Sequence, residues 1–277
     1  MRLGDAPESG NFEDRTGQRG GGGGIGGGLI GMLLPFVMSR FGIVGVLVLG
    51  LGYCALTSLG GLGGGSTTTG ESKLTADQGQ VLKRVLGSTE QVWGQIFQQS
   101  GAQYKPTRLV AYSNQNNSGC GAAQSAMGPF YCPSDQSIYI DPTFFDELSR
   151  RFQAPGDAAQ AYVIAHEVGH HIQYLQGTLD RAQSAQARSS TAAGNAVQVG
   201  VELQADCYAG VWAKRSGLLE QGDIGEGMRA AEAIGDDMLT KGRVSPDNFT
   251  HGTSAQRQEA LNRGLTTGDP AQCKYTG

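Results

Sequence analysis

Three of the four histidines in the chain lie within nine residues, AHEVGHHIQ, from Ala165 to Gln173. His166, Glu167 and His170 form the pattern HExxH. Residues four apart on a helix lie one turn apart on the same face, so the two imidazoles can bind one metal ion. Zinc lowers the pKa of a coordinated water from near 16 to about 7, and Glu167 stands beside the pair as a base for that water. The pattern predicts metal-assisted hydrolysis of a carbonyl substrate, and the alternative is a chance match.

The helix expected to carry this motif is apolar in front of it, where AYVIA has small and branched residues at helical spacing. Gly169, between the metal-facing residues, leaves room for another element to pack closely. His171 points about 100° away from His170 on a helix. We therefore expect His171 to lie beside the site or at the surface, and not on the metal.

A catalytic zinc needs a third protein ligand and an open position. The segment ELQAD supplies Glu202 and Asp206, four apart on an expected helix that is otherwise mostly apolar. Because buried carboxylates need partners, we assign Glu202 to the metal and Asp206 to a hydrogen bond that orients a ligand histidine. Spacing alone leaves the reverse assignment open, and two exposed acids on an amphipathic face are a further alternative.

The fourth histidine, His251, precedes TSAQR, which is typical of the start of a helix. Two interpretations stay open. His251 is either an exposed loop residue, or it stabilises the oxyanion of a tetrahedral intermediate, with Arg257 bracing the site.

The N-terminal part of the chain changes composition twice. Residues 1–28 are polar and then glycine-rich, which predicts a flexible tail. Residues 29–59 are apolar, and residues 41–59 carry no charge; as a helix they span about 28 Å, close to the roughly 30 Å hydrocarbon core of a bilayer. We predict one transmembrane helix there, with a buried core helix or a signal peptide as alternatives. The arginines before the span place the N-terminus in the cytoplasm and the remainder outside it.

After a Gly/Ser/Thr linker over residues 60–73, the folded domain is predicted over residues 74–277. It opens with a helix capped by Thr75 or Asp77, continues with short β-type runs and ends in a series of helices. Strands before helices predict an α+β domain with a small sheet and several helices. The formal net charge of −4 shows no basic surplus, so nucleic acid is excluded as a partner.

Several segments together carry a family resemblance. HEVGHHIQ, VELQADCYAGVWA, GPFYCPSDQSIYID and THGTSAQR, behind an N-terminal NFEDRTG and a glycine-flanked apolar span, resemble the neutral zinc metallopeptidase family of bacterial membrane proteins. The resemblance covers nearly the whole chain. It implies a zincin-like domain, one Zn²⁺ per chain and hydrolysis of a peptide or protein substrate.

A more distant similarity is to glutamate-type zincins such as the CAAX prenyl proteases, which pair HExxH with ExxxD. It implies that Glu202 is the third ligand and that Asp206 is the orienting residue. In zincins an edge strand above the metal commonly binds an extended substrate by backbone pairing. The candidate here is SIYID, Ser137–Asp141, with an ordinary sheet strand as the alternative.

A domain outside the cytoplasm permits disulfides. Cys120 and Cys132 flank a short loop, and Cys207 and Cys273 remain, so we prefer these two pairs among the three pairings that four cysteines allow. Four free thiols are the alternative. Cys54 falls in the predicted span and is expected to be free.

These patterns together predict a single-pass, membrane-anchored zinc endopeptidase whose catalytic domain lies outside the cytoplasm. The first alternative is a catalytically silent zincin that serves as a binding or adaptor module at the cell surface. The second is a membrane-associated structural protein without a metal. Glu167 disfavours the silent zincin, because a purely structural metal site has no need of a base.

Overall fold

The computed structural model describes residues 1–18 and 72–275. Met1–Gly17 and Ser72–Gly277 belong to one compact unit. The predicted transmembrane span over residues 41–59, the linker as far as residue 71 and Cys54 lie outside the described residues, so these stay predictions. Within the described part of the chain, no helix is both long and apolar enough to cross a membrane.

Three of the short strands form where branched and aromatic residues lie between turn-forming Asn, Gly, Ser and Pro. Four of the strands make one sheet in the order β1–β2–β6–β5, in which β1, β2 and β6 are parallel and β5 is antiparallel to β6. The strands β3 and β4 pair as a separate hairpin. The strand bounds are β1 Phe12–Asp14, β2 Arg108–Ala111, β3 Gln115–Ser118, β4 Gly121–Gln124, β5 Phe130–Cys132 and β6 Ser137–Ile140.

Helices supply most of the remaining structure, and the α+β class predicted from the sequence is confirmed. The first helix begins at a capping box on Thr75, as the sequence indicates. The helix bounds are α1 Ala76–Gln99, α2 Thr143–Arg150, α3 Asp157–Leu175, α4 Thr178–Gln186, α5 Thr191–Ser216, α6 Asp223–Ala233, α7 Asp236–Leu239 and α8 Ser254–Thr267. Single 3₁₀ turns cover Leu3–Asp5, Ser125–Met127, Pro246–Asn248 and Pro270–Gln272.

Two buried tryptophans hold α1 against α5. The indole Nε1 of Trp212 donates to Oγ of Ser88 at 2.7 Å. The ring of Trp93 meets that of Tyr208 edge-on, with centroids 5.3 Å apart. Buried aromatic pairs of this kind add about 0.5–1.5 kcal/mol to the stabilisation from their burial. The contact fixes the position of α5, which carries Glu202.

The helices α3 and α5 approach each other most closely at Gly169 and Ala205. A Cβ atom added to Gly169 would lie 2.9 Å from the Cα and from the carbonyl oxygen of Ala205, which is closer than van der Waals contact allows. Only glycine permits this approach, so the close packing expected at Gly169 is confirmed. The crossing brings the HExxH face of α3 against the segment of α5 that holds the acids.

The predicted position of the substrate-binding strand is wrong. Residues Ser137–Asp141 were expected at the edge of the sheet, but β6 lies between β2 and β5. The strand order depends on pairing between distant segments, which the local β pattern does not specify. Among the described residues, β5 forms the edge of the sheet on that side.

The N-terminal tail is part of the folded unit in its first seventeen residues, whereas flexibility was expected over residues 1–28. The strand β1 pairs with β2 in parallel. Where the tail ends, Oγ1 of Thr16 accepts a hydrogen bond from the amide of Lys73 at 2.9 Å, and Ser72 donates to the carboxylate of Asp14. This pairing conflicts with the expectation that the tail lies in the cytoplasm and the domain outside it.

Both preferred disulfides are present. Cys120 is bonded to Cys132, which joins the turn between β3 and β4 to the end of β5. Cys207 on α5 is bonded to Cys273, near the C-terminus. The second bridge closes a loop of 66 residues, and a loop of that size is expected to stabilise the fold by about 2–4 kcal/mol.

Gly87→Ala is expected to displace the N-terminal tail from α1. A Cβ atom at this position would lie 2.2 Å from the carbonyl oxygen of Pro7 and 2.9 Å from the amide nitrogen of Ser9. The tail must therefore shift, and we expect a loss of about 1–3 kcal/mol, the range for overpacked sites. Thermal unfolding and limited proteolysis of the tail would measure the effect.

Gly94→Ala on the same helix is the matched control, because nothing lies within 4 Å of the position its Cβ would take. Alanine at an open helical position is expected to add up to about 1 kcal/mol of stability. Equal Tm values and equal tail cleavage in the two variants would contradict the packing of the tail on α1.

Candidate metal centre

Three side chains from two helices converge on one point. His166 and His170 project from α3, and Glu202 projects from α5. One ligand atom of each lies within 4.8 Å of the other two. Nε2 of His166 is 3.2 Å from Oε2 of Glu202, and Nε2 of His170 is 3.7 Å from Oε1 of the same carboxylate. The structure thus brings together the three residues that the sequence assigned to the metal.

The charges around this point favour a cation. Burial alone lowers the pKa of His166, but the carboxylates of Asp206 and Glu202 outweigh burial and raise that pKa to about 10. Burial alone raises the pKa of Glu202, but His170 and His166 hold it well below its usual value. An ionised carboxylate between two imidazoles attracts positive charge, and two ring nitrogens with one carboxylate oxygen are donors that suit zinc.

Asp206 orients the first histidine. Its Oδ1 lies 2.8 Å from Nδ1 of His166 and also accepts a hydrogen bond from the hydroxyl of Tyr162. An ionised carboxylate can only accept, so Nδ1 carries a proton, and in the neutral ring that can bind a metal Nε2 is the nitrogen with the free lone pair. The contact matches the orienting role expected for Asp206, whereas Tyr162 is an additional partner that the sequence analysis missed.

Arg257 neutralises the buried Asp206. Its Nε donates to Oδ2 at 2.9 Å and its second terminal nitrogen donates to Oδ1 at 2.9 Å, so the pair is bidentate. Both side chains are almost completely inaccessible. Burial alone raises the pKa of Asp206, but Arg257 and His166 hold it below its usual value. Arg257 therefore braces the site through Asp206.

The second histidine has a neutral partner. Nδ1 of His170 lies 2.9 Å from Oε1 of Gln173, one turn further along α3. The sequence carries a signal for this contact, because residues three apart share a helix face. The sequence analysis nevertheless assigned no role to Gln173.

Glu167 differs from the other acids of the centre in having a free oxygen. Its Oε2 is buried and finds no hydrogen-bond partner within residues 1–18 and 72–275. Burial raises the pKa of Glu167, and the nearby His170 and His166 reduce that rise. A buried carboxylate that faces a cleft without a fixed partner is suited to exchange a proton with a bound molecule.

His251 lies at the rim of the same cleft. Its Nδ1 is 3.2 Å from Oδ1 of Asp236, and about half of its side chain is exposed. Oδ2 of Asp236 accepts from the amides of Thr250, His251 and Gly252 at 2.6 to 3.0 Å. Asp236 therefore fixes both the loop and the ring, and no local pattern in the sequence indicates this partner.

His171 takes no part in the donor cluster and is fully buried. Nε2 donates to the carbonyl oxygen of Lys105 at 2.7 Å, and Nδ1 lies 2.9 Å from the hydroxyl of Tyr131. Tyr131 belongs to β5, so His171 ties the edge strand to the metal-site helix. The alternative of a surface histidine is wrong, because the side chain of His171 is completely buried.

One other acidic group in the described residues is compact enough to share a cation: Asp157, Asp223 and Glu226. The ammonium of Met1 lies 3.0 Å from Asp157 and 3.4 Å from Asp223. This group contains no imidazole and already faces a positive charge, so its chemistry does not resemble a catalytic zinc site.

A cleft of about 750 Å³ opens above the donor cluster. His166, Glu167, His170 and Glu202 line its base, and residues of β5 line one side. The walls differ in polarity: one group of lining side chains is apolar and another carries carboxamides. The apolar group includes Met127, Phe130, Phe144, Phe152, Ile234 and Leu239, and the carboxamides are Gln183, Gln186 and Gln198.

A buried HExxH pair joined by a glutamate from a second helix defines the class of the site, and the comparison with known families agrees with it. The model of the family described as "Putative neutral zinc metallopeptidase" matches residues 1–276, so the chain belongs to that family. Membership supports zinc as the metal, hydrolase chemistry and peptide substrates at the level of the class.

Curated relatives are similar over much or all of the chain. The uncharacterized protein YpfJ of Escherichia coli (strain K12) is 43% identical over 288 residues, covering 100% of this chain and 99% of its own. The uncharacterized protein Rv2575 of Mycobacterium tuberculosis (strain H37Rv) is 43% identical over 187 residues, covering 61% of this chain and 62% of its own. No solved structure matches the chain significantly.

Asp206→Asn is expected to weaken zinc binding about 10- to 100-fold, the usual cost of losing an outer partner of a ligand histidine. It leaves the guanidinium of Arg257 buried with a neutral partner, so stability should fall by about 3–5 kcal/mol. Competition with a chromogenic chelator and urea unfolding would measure the two effects.

Tyr162→Phe is the matched control, because it removes one hydrogen bond to the same carboxylate and keeps the charge. Its zinc affinity should stay within a few-fold of the wild-type value, with a loss of stability of about 0.5–1.5 kcal/mol. Wild-type zinc affinity in Asp206→Asn would contradict the orienting role.

Proposed function

We propose that this chain is a membrane-attached, zinc-dependent endopeptidase. The observation that carries the proposal is the convergence of Glu202 on the imidazoles of His166 and His170, beside a Glu167 whose Oε2 has no partner in the described residues. A structural metal site needs no such acid, whereas a hydrolase does. A zincin-like arrangement, with Glu202 as third ligand and Asp206 as orienting residue, fits this geometry and the ExxxD pattern of glutamate-type zincins.

The donor set fits zinc, since His166, His170 and Glu202 offer two nitrogens and one oxygen and leave a position open towards the cleft. When bound there, zinc supplies a Lewis acid that polarises a carbonyl oxygen and lowers the pKa of a water to near neutrality. The partners of the two rings decide which nitrogen of each ring is free to bind it.

Glu167 acts as the general base in this proposal. It takes a proton from the attacking water and passes it to the amine that leaves when the peptide bond breaks. Burial raises its pKa above the usual value and its Oε2 has no partner in the described residues, so the carboxyl group is suited to accept and then donate a proton.

His251 stabilises the oxyanion that forms on the scissile carbonyl. Asp236 accepts from Nδ1, so Nε2 donates to that oxyanion only when the ring is the doubly protonated imidazolium. The three loop amides bound by Asp236 keep the ring at the rim without help from substrate. Such a donor acts on charge that develops during the reaction, so it affects kcat more than binding.

The substrate is proposed to be an extended peptide that adds a strand along β5. Within the described residues β5 is the edge of the sheet, and Phe130 and Tyr131 line the cleft. Backbone pairing with an edge strand gives affinity without demanding a particular sequence. We therefore assign backbone pairing with the substrate, which was expected for Ser137–Asp141, to Phe130–Cys132.

The location proposed is the extracytoplasmic face of a membrane. The disulfides Cys120–Cys132 and Cys207–Cys273 support an oxidising compartment. Attachment to the bilayer is proposed through the apolar residues 29–59 of the sequence.

Glu167→Gln should abolish hydrolysis while zinc stays bound. Loss of a general base costs about 10²- to 10⁴-fold, and the substitution removes no metal donor. The measurement is cleavage of fluorescein-labelled casein by the full chain in detergent, with zinc content determined in parallel. A chelator should abolish wild-type cleavage, and added zinc should restore it.

Glu147→Gln is the matched control for a cleft carboxylate, since Glu147 lines the same cleft but lies outside the donor cluster. It should cleave at nearly the wild-type rate. Undiminished cleavage by Glu167→Gln would rule out the mechanism. A wild-type chain that binds zinc but cleaves nothing would favour the silent adaptor.

His251→Asn is expected to lower kcat about 100-fold, with little change in KM or zinc content, because its role begins when charge develops on the carbonyl oxygen. Asp236→Asn should give part of this loss by freeing the loop. Thr250→Val is the control, since it removes a contact to Nδ1 of His251 but leaves Asp236 in place. A KM effect alone would assign His251 to binding.

A further inference from the structure

A chain of buried carboxamides runs from His170 to the C-terminal segment. Oε1 of Gln173 lies 2.9 Å from Nδ1 of His170. Nε2 of Gln173 donates to the carbonyl oxygen of Val201 at 2.7 Å and to Oε1 of Gln204 at 3.0 Å. Nε2 of Gln204 donates in turn to the carbonyl oxygen of Cys273 at 2.8 Å. Both glutamines are buried.

The direction of this chain is set by its backbone ends. A carbonyl oxygen only accepts, so Cys273 requires the NH₂ group of Gln204 and turns its Oε1 towards Gln173. That oxygen, together with the carbonyl of Val201, requires the NH₂ group of Gln173 and turns its Oε1 towards His170. The ring must then carry its proton on Nδ1.

The two metal-site histidines are therefore oriented by different chemistry. His166 is held by the ionised Asp206 and its arginine. His170 is held by a neutral amide, which fixes the ring without adding a second negative charge. In the neutral, metal-binding form of both rings, Nε2 is the nitrogen whose lone pair is free, and it lies on the side of Glu202.

The far end of the chain is anchored covalently. Cys273 is bonded to Cys207, which lies on α5 with Gln204 and Glu202. The disulfide thus holds the carbonyl that polarises the chain against the helix that supplies the third ligand. Without this anchor, the C-terminal segment could move and both amides could turn over.

We infer that Gln173 and Gln204 are positioning residues that set the ring tautomer of His170 for zinc, with the carbonyl of Cys273 as their fixed end. This inference rests on the proposed zinc site. It assigns a role in metal binding to a segment more than 60 residues from the ligands in sequence. Cleaving the disulfide should weaken zinc binding for the same reason.

The test compares Gln173→Leu with Gln176→Leu in the full chain. Gln176 also joins the end of α3 to α5, since its Oε1 accepts from the hydroxyl of Tyr208 at 2.8 Å, but in the described residues no hydrogen bond joins its side chain to a ligand histidine. Gln173→Leu should bind zinc about 10- to 100-fold more weakly in competition with a chromogenic chelator, and its cobalt derivative should show an altered visible spectrum. Gln176→Leu should match the wild-type protein in both.

Gln204→Leu provides a second variant. It removes the hydrogen bonds that Gln204 makes to Gln173 and to the carbonyl oxygen of Cys273, while Gln173 keeps its hydrogen bond to Val201. Its zinc affinity should fall between those of the wild type and Gln173→Leu. If neither variant folds, ¹⁵N chemical shifts of the zinc-loaded wild type decide. A proton on Nδ1 of His170 supports the inference, and a proton on Nε2 overturns it.

Wild-type zinc affinity with an unchanged cobalt spectrum in folded Gln173→Leu would also overturn the inference and leave the proposed function intact. A wild-type chain that binds no zinc would instead overturn the proposed function. Zinc binding by the wild-type protein therefore distinguishes failure of the inference from failure of the proposed function.

Discussion

The approach of α3 to α5 at Gly169 determines whether the site exists. The two histidines lie on one helix, and their spacing is a property of that helix alone. The glutamate comes from a second helix, and it reaches the rings only because the backbones come close at Ala205. The contacts of Trp93 with Tyr208 and of Trp212 with Ser88, together with the disulfide at Cys207, hold α5 in place.

Charge balance is the second requirement of this arrangement. Asp206, Glu202 and Glu167 would repel one another if they were ionised in an apolar interior without partners. Arg257 neutralises Asp206, the two histidines hold the pKa of Glu202 well below its usual value, and burial raises the pKa of Glu167, whose Oε2 has no partner in the described residues. Of these three acids, Glu167 is therefore the one suited to exchange a proton with a bound molecule.

The sequence predicted the parts of the site that follow from helical spacing. His166, His170, Glu202 and Asp206 could be placed because residues four apart on a helix share a face, whatever the tertiary fold. Asp236 could not be placed, because it meets His251 across a loop whose course no periodicity specifies. The same limit explains the sheet: β2, β5 and β6 were predicted as strands, but their order was not, so β6 was mistaken for the edge.

The N-terminal strand was missed for a different reason. A short polar stretch followed by many glycines has the composition of a disordered tail, and the partner of β1 lies almost a hundred residues away. Its order comes from contacts with α1 and β2 that only the folded domain supplies.

The parallel pairing of β1 with β2 also restricts how the protein can be assembled across a lipid barrier. Strands exchange backbone hydrogen bonds only when they share one aqueous phase, so residues 1–17 and 72–275 occupy a common compartment once they have folded together. A single transmembrane span between these two segments would place β1 and β2 on opposite sides of the membrane. Residues 1–17 and 72–275 must therefore reach the same compartment before β1 can pair with β2.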